Sequence, residues 1–142
     1  AVTSVAGHLT SQDFSPAYKS WHSCQPDALF NAPIHTFVSK NMENLGLQLR
    51  TEARNASKLV LWLDCDREGE HIAFEVMEQC LQGNSNLECV RARFSAFVPN
   101  EIFHAVNNTV APNALDRDAV SARMEIDLRI GAAFTRFQTL RF

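Results

Sequence analysis

The sequence predicts an α/β domain with a mostly parallel sheet flanked by helices, and a helical segment at its C-terminal end. Two observations lead to this prediction. Residues 59–63 (Leu-Val-Leu-Trp-Leu) form a continuous apolar run of strand length, which is typical of a parallel strand buried on both faces. A helical pattern, a second strand-like run and a second helical pattern then alternate, which implies parallel strands joined by right-handed crossovers.

The residues before this strand carry weaker patterns. Residues 2–9 have strand-like content. Residues 11–33 contain three prolines among many turn-forming residues, so we expect mostly loop there. Residues 41–55 are predicted to form a helix, because apolar residues recur at four-residue intervals from Leu45 onward.

The residues after the strand are more regular. Residues 70–81 are predicted to form a helix, because their apolar residues lie on one stripe and Gly83 follows as a stop. Residues 87–94 indicate a second strand and residues 99–106 a short helix. From Asp116 we expect one long helix. We expect this helix to leave the domain and to pack partly against something else. Its apolar stripe, with residues three and four apart, consists of Ala119, Ala122, Ile126, Ile130, Ala133, Phe137 and Leu140.

Length and composition fit one globular domain. The chain has 142 residues, 46% hydrophobic and 20% charged. We expect residues 1–112 to form the domain and residues 113–142 to lead into the next one. The sequence begins without Met inside strand-like residues, so we expect a piece of a longer protein. No apolar run approaches the roughly 18 residues that suggest a membrane span, so we expect no membrane contact.

Charge and cysteine spacing narrow the function classes. The net charge of −3 taken alone argues against a nucleic-acid-binding protein. The last twenty residues, however, contain four arginines and only two acidic residues, which allows a local basic patch. The four cysteines form no CxxC pair, which excludes the usual zinc and thioredoxin motifs. They are expected to be free thiols in a reducing compartment. The tryptophans and most phenylalanines are interpreted as core residues.

An acidic motif follows the buried strand directly. Asp64-Cys65-Asp66-Arg67-Glu68-Gly69-Glu70 stands where the strand ends and the next helix begins. Ligands of α/β sheets bind at this edge, and strand residues two apart share a face, so Asp64 and Asp66 are expected to point together, with Glu68 nearby. Close carboxylates repel one another unless a cation joins them, and Mg²⁺ is the oxygen-binding ion that suits them. Arg67 is suited to a phosphate.

A second interpretation of the same motif stays open. Asp66 is also a good N-cap residue, and acidic residues are favourable in the first turn of a helix. By this interpretation the motif only starts a helix and binds nothing.

Four segments resemble one family. Asp64 to Glu70 resembles the DxDxEGE signature of TOPRIM domains in type IA DNA topoisomerases. Residues 3–9 resemble the family's SxGHL segment, and residues 91–95 resemble the strand after its acidic helix. Residues 125–139 resemble the segment with which eukaryotic topoisomerases of the III kind leave the TOPRIM domain. Order and spacing also match over nearly the whole chain.

The resemblance implies a Rossmann-like TOPRIM fold and a set of roles. Asp64, Asp66 and Glu68 would form the catalytic acidic triad that handles Mg²⁺. The first strand of the TOPRIM sheet, with a further glutamate and a lysine, is expected to precede residue 1. The tyrosine that attacks DNA is expected beyond residue 142, and Tyr18 is not assigned that role.

The resemblance also implies an activity. Enzymes of this family cut and reseal single-stranded DNA through a 5′-phosphotyrosine and thereby relax or decatenate DNA, in the nucleus, in recombination and repair. A RecQ-type helicase and an OB-fold protein are the implied partners, and this chain alone is expected to be inactive. Arg67, His8, Arg129 and Arg136 are predicted to contact DNA. His8 could equally be a structural histidine, and Arg91 and Arg93 could either approach DNA or pair with acids.

Two other functions stay open. A TOPRIM nuclease or primase would share the acidic motif but not the segment at residues 125–139. A non-catalytic module that binds DNA or a partner would bind DNA even without Asp64 and Asp66.

Overall fold

The computed structural model describes residues 1–141. The strands are β1 (Thr10–Phe14), β2 (Ile34–Val38), β3 (Lys58–Leu61) and β4 (Glu88–Arg91). The helices are α1 (Pro16–Lys19), α2 (Glu43–Ala53), α3 (Arg67–Gly83), α4 (Pro99–Asn107) and α5 (Ala114–Arg141). Short 3-10 helices cover Pro26–Phe30 and Lys40–Met42.

The centre of the fold is a β3–α3–β4 unit. β3 and β4 run parallel with Leu59 opposite Cys89, and α3 crosses between them. This unit confirms the predicted α/β class and the predicted alternation of elements. α2 packs beside α3. The core between these elements consists of Leu9, Leu49, Ala53, Leu61, Ala73, Val76, Cys80 and Leu87.

The N-terminal third differs from its prediction. Residues 2–9 form no strand, and β1 begins at Thr10 and pairs antiparallel with β2. The predicted loop at residues 11–33 was therefore wrong for β1. This strand (Thr-Ser-Gln-Asp-Phe) is polar, so it lacks the apolar alternation that signals a strand. Only its last residue, Phe14, is buried, in a second core cluster that includes Leu29.

The predicted long C-terminal helix is confirmed. α5 packs on α3 and on the 3-10 helix Pro26–Phe30, and its buried residues are Val120, Ala133 and Arg136. The predicted stripe is exposed at Ile126, Ile130, Phe137 and Leu140. The helix follows two separate contacts, so no single stripe describes its buried side. Within residues 1–141 no helix is long and apolar enough to cross a membrane.

A cleft of about 940 Å³ runs along β3. β3 pairs with β4 on one side, and β4 is covered in turn by a bridge between Arg91 and Val110. The cleft is lined by residues 1–5, residues 58–63 and apolar side chains of α2 and α3. In the described part of the chain the other side of β3 pairs with no strand, and it borders this cleft, whose lining is both apolar and polar.

Candidate functional site

The acidic motif lies at the carboxyl edge of β3, as predicted. β3 ends at Leu61, and α3 begins at Arg67. Asp66 is the N-cap of α3, where its Oδ1 accepts a hydrogen bond of 2.7 Å from the Gly69 N–H. The predicted N-cap role of Asp66 is thus confirmed. This capping role is compatible with metal binding, because the second carboxylate oxygen of Asp66 makes no hydrogen bond among the described residues.

Glycine is required at position 69 by close packing. A Cβ added there would lie 2.1 Å from the carbonyl oxygen of Asp64. The loop that carries the aspartates therefore rests directly on the first turn of α3. A larger residue would push this loop away from the helix.

A buried ion pair also contacts the loop that carries Asp64 and Asp66. Arg91 on β4 and Glu70 on α3 are 0% and 1% exposed, with Nε and Oε2 2.9 Å apart. The guanidinium also donates to the carbonyl oxygens of Leu61, Leu63 and Asp64. Of the two interpretations of Arg91, pairing with an acid is therefore confirmed, whereas Arg93 is exposed.

The three predicted catalytic acids are close in sequence, but their carboxylates do not converge on a single position. Asp64 and Asp66 are exposed, and Glu68 is partly buried. Glu68 pairs with Arg123 of α5 and lies 3.2 Å from Nε2 of His8. Within residues 1–141, their ligand oxygens do not all come within 4.8 Å of one another. The donor set itself fits Mg²⁺, because exposed carboxylates leave room for the water and phosphate oxygens that complete its coordination. The metal role of these three acids stays a prediction.

The predicted DNA contacts fall into two groups. Arg67 is exposed, with Nε 3.5 Å from Asp116, and His8 is about one-third exposed. Arg129 instead donates to the carbonyl oxygens of Leu29 and Ala32. Arg136 is buried and donates to the carbonyl oxygens of Tyr18, Lys19 and Ser20. These contacts favour a structural role for the second pair, whose DNA binding stays a prediction.

An aromatic surface adjoins the acidic loop. Trp62 lies 5.9 Å from Phe94, and Phe94 lies 5.0 Å from Phe97, measured between ring centroids. Trp62 is 38% exposed and Phe97 is 82% exposed, so their interpretation as core residues was wrong.

Sequence reasoning missed one cluster next to this site. His8, His71 and Glu75 have ligand atoms within 4.8 Å of one another. The spacing of His71 and Glu75, four residues apart on a helix, was the available signal. Burial lowers the pKa of His71, which favours its neutral form.

Comparison with known proteins agrees with the resemblance. The Toprim domain model matches residues 1–97. The chain is 54% identical to DNA topoisomerase 3 of Dictyostelium discoideum over 97% of its length. It is 51% identical to DNA topoisomerase 3-alpha of Arabidopsis thaliana over 98%, and 46% identical to DNA topoisomerase 3-alpha of Homo sapiens over 99%. The chain spans 17%, 15% and 14% of these three relatives.

Proposed function

The chain belongs to the Toprim domain family, and on this premise we propose that it is the metal-binding part of a type IA DNA topoisomerase. The longer protein would cut and reseal single-stranded DNA through a 5′-phosphotyrosine and so relax or decatenate DNA. The similarity to topoisomerase 3 relatives over at least 97% of the chain supports this proposal against a Toprim nuclease or primase.

One observation carries the proposal. Asp64 and Asp66 are both exposed at the carboxyl edge of a parallel strand, on a loop fixed by Arg91 and Gly69. A position held from two sides can present carboxylates with little reorganisation when a cation and a phosphate arrive. A helix cap alone needs neither Asp64 nor the buried support beneath it.

The proposed reaction is a reversible transesterification. A tyrosine oxygen, supplied by another part of the protein, attacks the phosphorus while the bond to the 3′ oxygen breaks. The tyrosine hydroxyl gives up its proton as it attacks, and the leaving 3′ oxygen takes one up, so the step balances. The reverse step reseals the strand without ATP, because the phosphotyrosine bond keeps the energy. Bound Mg²⁺ would supply positive charge near the phosphate. Asp64 and Asp66 would hold this ion, and Glu68 would complete the site or aid proton transfer to the 3′ oxygen.

The surroundings of the loop suit a single-stranded substrate. Arg67 offers an exposed guanidinium to a phosphate. The exposed rings of Trp62 and Phe97 offer faces on which unpaired bases can stack. His8, about one-third exposed and 3.2 Å from Glu68, would contact DNA next to that carboxylate.

A further strand is part of the proposal. The side of β3 that faces away from β4 borders a cleft of about 940 Å³ and pairs with no strand within residues 1–141. Unpaired strand edges are normally covered, so a strand from the longer protein would fit here and would bring the expected glutamate and lysine to the site. We propose that this chain alone does not cleave DNA.

Partners and location are proposed more broadly. A RecQ-type helicase and an OB-fold protein are proposed partners, with roles in recombination and repair in the nucleus. The cysteines at 24, 65, 80 and 89 are free, which suits a reducing compartment such as the nucleus.

The test is a Mg²⁺ titration by calorimetry or NMR on this chain and on the double variant Asp64→Asn, Asp66→Asn. We expect binding by the parent chain and none by the variant. Asp27→Asn, at an exposed position in the 3-10 helix, is the matched control and should bind like the parent. Equal binding by the double variant would overturn the metal role. DNA cleavage by the full-length protein, lost in the same variant, tests the reaction itself.

A further inference from the structure

A second group of side chains that could bind a metal lies next to Glu68. It joins His8, in the segment before β1, to His71 and Glu75 on α3. His71 and Glu75 are buried, and His8 is about one-third exposed. Because His71 and Glu75 are four residues apart, they project from the same face of the helix.

The two histidines leave the same ring nitrogen unused. Nδ1 of His8 and Nδ1 of His71 are both buried and have no hydrogen-bond partner in the described part of the chain. Both point toward one atom: Oε1 of Glu75 lies 3.4 Å from the first and 3.5 Å from the second. A buried polar nitrogen without a partner is rare in proteins, so each of these two atoms calls for a physical explanation.

The other ring nitrogens are already occupied. Nε2 of His8 lies 3.2 Å from Oε2 of Glu68, and Nε2 of His71 lies 3.1 Å from Oγ of Ser121. When Nε2 carries the proton and donates it to these oxygens, each Nδ1 presents a lone pair. Metal-binding histidines in proteins are held in this way, with one nitrogen on the metal and the other donating to a carboxylate or another oxygen.

The distances distinguish between kinds of metal. Bonds of about 2.0–2.1 Å in a tetrahedron place neighbouring ligand atoms about 3.3 Å apart. Octahedral Mg²⁺ needs about 2.9 Å between neighbouring ligands and prefers oxygen. The separations of 3.4 and 3.5 Å, and two nitrogens among three ligands, fit the tetrahedral case. One ring nitrogen of each histidine and one oxygen of Glu75 all lie within 4.8 Å of one another, so one ion can reach all three side chains.

Hydrogen bonds fix the Glu75 carboxylate in the position that a metal ligand needs. Oε2 of Glu75 accepts a hydrogen bond of 2.8 Å from the Leu9 N–H, and its Oε1 accepts one from the Thr10 hydroxyl. Oε1 keeps a second lone pair that faces the histidines.

We propose that His8, His71 and Glu75 bind a zinc-class divalent ion through Nδ1, Nδ1 and Oε1, with water as fourth ligand. The ion ties the N-terminal segment to α3 and fixes His8 against Glu68. This site uses nitrogen ligands and none of Asp64, Asp66 or Glu68 as a direct ligand. It is therefore separate from the proposed magnesium site and does not depend on it.

The experiment uses Co²⁺ as the probe, because four-coordinate cobalt gives strong visible absorption, and Zn²⁺ in calorimetry. The full chain, freed of metal, is titrated with each ion in excess Mg²⁺. We expect one ion per chain, tetrahedral cobalt absorption, and displacement of Co²⁺ by Zn²⁺ but not by Mg²⁺. No binding by a folded parent chain would overturn the proposal.

Variants locate the ion. His8→Gln and His71→Gln should each weaken binding by more than about 100-fold, whereas Ser121→Ala should weaken it by about 10–100-fold, as loss of a supporting hydrogen bond does. His8→Gln changes a partly exposed residue, so it tests the site even if the buried His71 variant does not fold. His35→Gln, at an exposed position on β2, is the matched control and should bind like the parent.

The double variant Asp64→Asn, Asp66→Asn separates the two proposals. It should lose Mg²⁺ binding and keep the cobalt spectrum. Loss of both ions together would place the transition metal at the acidic loop and overturn the second site. Unchanged binding in both histidine variants would do the same.

Discussion

Arg91 and Glu70 form an ion pair of 2.9 Å that is almost wholly inside the protein, at 0% and 1% exposure. The pair connects the end of β4 to the start of α3. Arg91 also holds the Asp64 carbonyl, while Glu70 accepts from the Asn113 N–H at the start of α5. Four segments thus meet at one charge pair directly below the acidic loop.

Removal of one partner should be costly, because the other charge is then left buried and unpaired. We expect Glu70→Ala to destabilise the fold by about 3–5 kcal/mol, measured by urea unfolding. Lys58→Ala is the matched control. It removes an exposed pair with Glu88 on the neighbouring strands and should cost no more than about 1 kcal/mol. An equal decrease in unfolding free energy in both variants would show that the buried pair stabilises the fold no more than the exposed pair.

The location of the acidic motif could be predicted because its signals are local. The apolar run at residues 59–63 predicted β3, and the run of acids after it predicted the start of α3. These patterns depend on neighbours within a few residues. The parallel pairing of β3 and β4 followed from the alternation of elements.

The partners of the charged residues could not be predicted, because they lie far away in the sequence. Arg91 meets Glu70, 21 residues earlier, and Arg129 reaches the Leu29 and Ala32 carbonyls about 100 residues away. A sequence shows that an arginine is present but not which oxygens surround it. The contact between His8 and Glu75 could not be predicted for the same reason, because the two residues are 67 positions apart.

Asp66 combines two possible tasks, and two substitutions separate them. Asp66→Ala should cost about 0.5–2 kcal/mol in unfolding free energy, because the Gly69 N–H loses its acceptor. Asp66→Asn keeps an N-cap oxygen and should leave stability nearly unchanged, yet it should weaken Mg²⁺ binding. Mg²⁺ affinity equal to that of the parent in Asp66→Asn would reduce this residue to a helix cap.

Gly69 should tolerate no side chain. In Gly69→Ala the new Cβ would meet the Asp64 carbonyl oxygen at 2.1 Å, so the loop must shift. We expect a loss of about 1–3 kcal/mol and weaker Mg²⁺ binding. Gly131→Ala is the control. It lies within α5 with no neighbour within 4 Å of the added Cβ, so it should stabilise the protein by about 0.4–1 kcal/mol. Equal effects of the two substitutions on unfolding would contradict the close packing.

The cysteines should differ in reactivity. Burial raises the pKa of Cys80 to about 11 from its ordinary 9.0, and its side chain is buried among apolar residues. At pH 8 this leaves about 100-fold less thiolate than an unperturbed thiol has. Alkylation followed by mass spectrometry should therefore modify the exposed Cys65 first and Cys80 only on unfolding. Early labelling of Cys80 would mean that the α2–α3 core opens readily.

Arg67 and Arg136 should separate DNA binding from folding. Arg67 is exposed, so Arg67→Ala should leave stability within about 0.5 kcal/mol. It should weaken binding of single-stranded DNA and reduce the slope of affinity against salt by about 1, as loss of one phosphate contact does.

Arg136→Ala should instead lower stability and leave DNA binding unchanged. It leaves the Tyr18 and Ser20 carbonyls without their donor, so the unfolding free energy should fall by about 1–3 kcal/mol. The salt slope should stay unchanged in the folded variant, as fluorescence anisotropy over a salt series can measure. A reduced slope in Arg136→Ala would instead place this arginine on the DNA and revive its prediction as a phosphate contact.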